Sequence, residues 1–310
     1  MMMRKIVWFL FAGMATLSVI SCGLFDNQST PEGYVRHCVR LLDKQALYAN
    51  TPEWRETKKE ILTEAKTLAT MDEAHAVVAK AANVAGGKHS NLVAPVEDTT
   101  SYDEVAPAVK MLEGGIAYIA LPAHSGVKVL DSLYVHTVLD FLQVNQGANG
   151  VVLDLRDNTG GNMYPMIASV SPLLPNGTVI SFKSRKRTTP IPLDYVMREA
   201  RLQGDISKFP STTPVAILTN EWTGSSGEAT LLCFKGLDNV RTFGVPTAGY
   251  ASSNMTHRLA DGYMLLITTS CDVARTGEVF CEDAIVPDVV TETPLEEAIG
   301  WIESLISVAP

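Results

Sequence analysis

Two apolar strands that each run straight into a glycine-bearing turn and then a helix set the tightest limit on how this chain can fold. Gly150-Val-Val-Leu-Asp-Leu-Arg156 leads through Gly160-Gly161 to a helix over 163–174. Pro214-Val-Ala-Ile-Leu-Thr-Asn220 leads through Thr223-Gly-Ser-Ser-Gly-Glu228 to a helix over 226–237. The rhythm extends to strands at 115–121, 178–183 and 240–244 and to a helix over 127–143. Strands alternating with helices of that length require right-handed crossovers onto a largely parallel sheet covered by helices, so the class is α/β.

The flanks have a different texture. Residues 34–95 read as an N-terminal helical domain of three segments, with Tyr34, Cys38, Leu41 and Leu42, and later Ile61, Ala65 and Leu68, recurring at helical spacing. The Pro- and acid-containing stretch 93–110 reads as a linker, and residues 96–310 as the larger core domain. Within that core, Leu259, Asp261-Gly262 and Met264–Thr268 suggest a hairpin with an Asp-Gly turn. The stretch 184–213, with Arg185, Lys186, Arg187 and several prolines, lacks a strong period and suggests a flap. Residues 294–308 form a closing amphipathic helix.

The first residues indicate export. Arg4 and Lys5 precede an apolar run, Ile6 to Ile20, and Ser21-Cys22 follows it, which reads as a secretory signal peptide over 1–21. Val19-Ile20-Ser21-Cys22 resembles a bacterial lipobox, making Cys22 the expected lipidated residue. Residues 22–33 then read as a tether reaching about 20 Å. The expected location is the cell envelope, with the globular part outside the cytoplasm and anchored to a bacterial membrane through lipid. Removing residues 1–21 takes Arg4 and Lys5 away and moves the formal charge from −9 to −11. An acidic chain argues against nucleic acid and permits cationic substrates.

Beyond Cys22 there are Cys38, Cys233, Cys271 and Cys281. In an oxidising compartment they allow three connectivities. Cys271 and Cys281 flank a hairpin around Arg275-Thr-Gly277 and form the favoured pair, with Cys38 and Cys233 expected as buried thiols. No metal spacing appears among Cys and His, and no cofactor is expected.

Ser225, at a strand-to-helix turn beside helix-start amides, is placed as a nucleophile. It needs a base. His37, His75 and His136 lie in helical segments without a polar constellation, whereas His124 and His257 could line a cleft. His89, in Gly86-Gly-Lys-His-Ser90, sits where glycines allow unusual backbone angles at a domain junction. The Gly160-Gly161 turn suits an oxyanion hole, and the N–H groups of Gly161 and Ser226 are the preferred pair.

Asp154-Leu-Arg-Asp-Asn-Thr-Gly-Gly161, Thr223-Gly-Ser-Ser-Gly-Glu228, Gly244-Val-Pro-Thr-Ala-Gly249, Asp261-Gly262 and Val286-Pro-Asp288 occur in the order and spacing of the C-terminal processing (tail-specific) serine proteases. The resemblance spans roughly residues 115–290. It implies a crotonase-like ββα core, no PDZ domain given the short stretch 91–114, and Ser225 as nucleophile. Processing proteases carry a lysine base after the Gly-x-Pro-Thr-x-Gly motif, but Tyr250 stands there in this chain. The branch that includes tricorn and the nisin-resistance-like proteases uses a histidine from the N-terminal helical region, and Gly87-Lys88-His89-Ser90 matches that position. The implied pair is Ser225 with His89. A third member is left open among Glu282, Asp283 and Glu278. Gly160, Asn162, Met163 and Tyr250 are the expected substrate-lining residues. The implied activity is hydrolysis of peptide or protein-tail substrates, falling below about pH 6.5 as the imidazole protonates. A non-catalytic lipoprotein binding apolar ligands or peptides, and a peptidase giving resistance to cationic antimicrobial peptides, are the alternatives.

Overall fold

The computed structural model describes residues 27–95, 106–124, 128–202, 204 and 206–307. The signal peptide, Cys22 and most of the expected tether lie outside them.

Three helices open the described chain: α1 (Pro31–Gln45), α2 (Pro52–Glu64) and α3 (Met71–Gly86). Each starts on a threonine cap: Thr30 and Thr51 accept from Gly33 and Trp54 N–H, and Thr70 forms a reciprocal capping box with Glu73. There follow β1 (Asn91–Val93), β2 (Ala108–Leu112), β3 (Ile116–Ala120), α4 (Lys128–Val144), β4 (Gly150–Asp154) and α5 (Met163–Ser169). Then come β5 (Thr178–Ser184), β6 (Thr188–Pro192), α6 (Leu193–Glu199), β7 (Val215–Thr219), α7 (Ser226–Phe234) and β8 (Val240–Gly244). The chain closes with β9 (Ser252–Arg258), β10 (Met264–Val273), β11 (Val279–Phe280), β12 (Val289–Val290) and α8 (Pro294–Ile306).

One sheet runs β12-β8-β7-β4-β3-β2, parallel except for the antiparallel edge strand β2. Alternate residues of β4 serve its two faces. Val151 and Leu153 join the main core with α4, α5 and α7, while Val152 packs with Ala216, Leu218 and Phe243 against Ala298 and Ile302 of α8. Burial on both faces is the reason this strand reads as an unbroken apolar run.

The second sheet is antiparallel and centres on β10, which pairs with β1, β5, β9 and β11. Helices α1–α3 share their core with Leu259, Leu265 and Ile267, so the helical segment is sealed onto this sheet. The stretch read as a linker, 93–110, starts on the last residue of β1 and ends within β2, so its two ends are tied into the two sheets. The stretch read as a flap is built into the fold: its β6 and α6 bury Ile191, Leu193 and Val196 in the main core. The Asp261-Gly262 hairpin forms between β9 and β10. Cys271 and Cys281 are disulfide-bonded across the Gly277 turn, and Cys38 and Cys233 are buried free thiols.

Candidate active site

The turn from β7 into α7 holds Ser225 at φ 52° and ψ −115°, a positive φ that a residue with a Cβ rarely adopts. Glu228, fully buried, fixes it. Its Oε2 accepts the N–H groups of Ser225 (2.9 Å) and Tyr250 (2.7 Å); its Oε1 accepts the Thr247 hydroxyl (2.5 Å) and the Gly249 N–H (2.9 Å). One carboxylate thus joins the Ser225 turn to the Gly244–Gly249 segment. Burial pushes its pKa up, and the four donors pull the other way. The turn is pinned further by Thr223 Oγ1 donating to Leu155 O (2.8 Å) and Gly224 N–H to Asn158 O (2.9 Å).

The loop after β4 lies against Ser225. Gly160 and Gly161 have φ of 108° and 118°. A Cβ on Gly160 would lie 2.7 Å from Ser225 Cβ, and one on Gly161 would collide with the His124 carbonyl, so both positions need glycine. Ser226 Oγ donates to Gly161 O (2.7 Å), coupling the start of α7 to this loop. Among the described residues neither the Gly161 N–H nor the Ser226 N–H donates to a loop or turn carbonyl. Two free amides beside a serine hydroxyl are suited to a developing oxyanion. Asn162 caps α5 by accepting the Tyr164 N–H (3.1 Å).

His89 follows α3 at the Gly87 cap, whose φ is 80°. The imidazole is 2 % exposed. Its Nδ1 pairs with Ser252 Oγ at 2.8 Å, its ring meets Tyr250 edge-on with centroids 5.1 Å apart, and its Nε2 is buried without a protein partner. Burial first, and the Lys88 charge second, push its pKa down to about 4. The imidazole thus takes up its proton well below the pH of about 6.5 expected from an ordinary histidine.

A cavity of about 150 Å³ brings these groups together: Ser225, His89, Gly161, Ser226, Asn162 and Met163 all line it. Gly160 sits behind Ser225, and Tyr250 flanks His89 without lining the cavity. Glu282 accepts the Lys88 N–H (2.6 Å), so it holds the segment bearing His89 and does not pair with the imidazole. Asp283 is exposed, and Glu278 faces Lys235 (3.6 Å) on the far hairpin. The place on Nδ1 expected for one of those acids belongs to Ser252. His124 bridges the glycine loop through its backbone and bonds Asp131 through Nε2 (2.7 Å), while His257 bonds Gln45 (2.9 Å). Neither lines the cavity.

Reading the sequence missed Ser252, Asn254, Phe182 and Asp272 in this lining. A signal for Asp272 was available, namely a lone charge in the otherwise uncharged stretch from Tyr263 to Ala274. Ser252 and Asn254 lie on β9, for which no strand is expected from the sequence before Leu259. Among the described residues no His, Cys, Asp and Glu group is arranged to hold a metal ion.

Residues 115–291 match the model of peptidase family S41. The nisin-resistance protein of Lactococcus lactis subsp. lactis is 33% identical over 305 residues, covering 96% of this chain and 95% of that one. A solved structure of a lipoprotein from Streptococcus agalactiae superposes with a TM-score of 0.80 at 32% identity, over 89% of this chain and 96% of that one. The photosystem II D1 C-terminal processing protease shares the fold at a TM-score of 0.57 and 12% identity, over 84% and 93% of the two chains. With the glycine loop, the serine turn and the histidine gathered at one cavity, this chain belongs to peptidase family S41 and is a serine-type peptidase acting on peptide or protein substrates.

Proposed function

We propose that the chain is a membrane-anchored endopeptidase or carboxyl-terminal-type peptidase that works through Ser225 and His89. Ser225 Oγ attacks the scissile carbonyl while its proton passes to His89 Nε2. The Gly161 and Ser226 N–H groups hold the oxyanion, and Nε2 then protonates the leaving amine as the C–N bond breaks. Water, deprotonated by the same nitrogen, releases the acyl group from the serine. The observation that carries this reading is the state of His89: Nδ1 is occupied by Ser252, while Nε2 is buried and unpaired in a residue that shares the cavity with Ser225. Ser252 is the orienting group in this scheme. Glu282 acts one step further out, through the Lys88 backbone.

The core is inferred to be of the crotonase-like type without a PDZ insertion, since only residues 94–107 separate β1 from β2. Anchoring through Cys22 in the cell envelope rests on the lipobox-like Val19–Cys22 and on the likeness to a streptococcal lipoprotein. Among the described residues no helix is long and apolar enough to cross a membrane. Resistance to an antimicrobial peptide is the physiological reading favoured by the lactococcal relative. A carrier of apolar ligands fits less well, because sites that engulf a small molecule occupy about 300–1,000 Å³ and this cavity is smaller. Ser225→Ala should abolish both hydrolysis of a peptide library and labelling by a fluorophosphonate. Full activity in the purified variant would remove the mechanism.

A further inference from the structure

Among the described residues, three of the buried side-chain polar atoms without a protein partner belong to residues that line this one cavity: His89 Nε2, Asn254 Oδ1 and Asp272 Oδ1. The nitrogen is accounted for by proton transfer. The two oxygens are not. Asn254 donates its Nδ2 to His89 O (3.2 Å), which leaves Oδ1 as an acceptor. Asp272 is 2 % exposed on β10, its backbone held between Phe182 of β5 and Ala251, with no Lys, Arg or His ion-paired to it among the described residues.

A buried carboxyl group without partners costs free energy in the folded state, more so beside another acid. Glu228 is that neighbour, and together with burial it pushes the Asp272 carboxyl well above the usual range. A ligand that supplies donors and positive charge would relieve that cost. The cavity that Asp272 lines also has apolar wall residues: Met163, Phe182, Ala229 and Leu266. An aliphatic stem lies well on such walls, and an ammonium or guanidinium head brings donors only. The cavity volume suits one long side chain, and the acidic chain attracts cations.

We propose that Asp272, with Asn254, forms the subsite that receives a lysine or arginine side chain of the peptide next to the bond attacked by Ser225. The assignment rests on the peptidase reading above and adds to it the charge of the substrate. Asp272 is a specificity residue here and takes no part in the proton transfer between Ser225 and His89.

The test is a set of peptides identical except at one residue, scanned across the positions flanking the scissile bond, with lysine, arginine, glutamine or norleucine in turn. At one position the wild type should prefer lysine and arginine over norleucine in kcat/KM by roughly 10- to 100-fold, the range for hydrogen bonds to a charged group. Asp272→Asn should bring that ratio close to one. No cationic preference at any position, or an unchanged ratio in Asp272→Asn, overturns the proposal. Asn254→Asp adds a second carboxyl and should raise the ratio; an unchanged or lower ratio counts against the subsite even if Asp272→Asn fails to fold. Failure of the peptidase mechanism looks different. It would appear as Ser225→Ala cleaving like wild type, whereas equal equilibrium binding of the lysine and norleucine peptides to Ser225→Ala would refute the subsite alone.

Discussion

Glu228→Gln isolates the buried carboxylate on which the Ser225 turn is built. The carboxylate accepts four hydrogen bonds, two on each oxygen. An amide keeps one acceptor oxygen and presents an NH₂ on the other side. If the amide oxygen faces Thr247 and Gly249, the N–H groups of Ser225 and Tyr250 meet another donor; flipped, the NH₂ meets the Gly249 N–H and a Thr247 hydroxyl that can turn to accept. Each stranded buried donor costs about 1–3 kcal/mol, so one or two of them cost about 1–6 kcal/mol. Against this stands relief from burying a charge, the cause that raises the Glu228 pKa. A carboxyl whose folded pKa is raised is destabilising above its unfolded value, so at neutral pH the amide recovers part of the loss. Four donors on one group offset much of that burial cost, and the unpaired N–H term should win. A drop in Tm on the order of 5–20 °C is expected. The positive φ of Ser225, a strain of about 1–3 kcal/mol, would then lack its backbone tether, and kcat should fall with stability. Urea unfolding and initial-rate kinetics measure both. A variant within about 1 kcal/mol of wild type with unchanged kcat would refute the account of the turn.

Two further outcomes follow from His89. Ser252→Ala removes a neutral hydrogen bond from Nδ1, so kcat should fall roughly 2- to 10-fold with KM little changed; no fall, or a loss beyond about 1,000-fold, would contradict an orienting role. With the His89 pKa at about 4, kcat/KM of the free enzyme should hold as pH falls from 7 and be halved near 4, and a half-drop near 6.5 in a pH–rate profile would show that the imidazole is not desolvated as described. The same shift has a sign for stability. The unfolded chain takes up this proton from about pH 6.5 downward and the folded one only near 4, so about 3 kcal/mol should be lost across that window. A His89→Gln variant, which cannot titrate there, should lack that part of the pH dependence.

Much of the site was legible because its determinants are local. Gly160 and Gly161 announce a loop that approaches other groups closely, and these are Ser225 with the Gly224 carbonyl for the first and the His124 backbone for the second. The Ser225 turn follows from an apolar strand meeting a helix start, and the Cys271–Cys281 pair from a short hairpin. His89 stood out by its glycines, and its preference over His124 and His257 came from resemblance to a known pattern. Stretch 184–213 was opaque because its prolines and charges hide a hairpin whose apolar residues find their partners far along the chain, in the main core.

The chain by itself determined which segments become strands and helices, and where backbone strain is tolerated, since periodicity, caps and glycines act within a few residues. Tertiary structure alone decided what meets His89 and what lies beneath Ser225. Ser252 is 163 positions from His89, and Asp272 reaches the cavity only because β10 pairs with β5 and β9. A hydrogen bond or a desolvated charge between residues so far apart leaves no periodic trace in sequence, because its energy depends on distance in space and on exclusion of water.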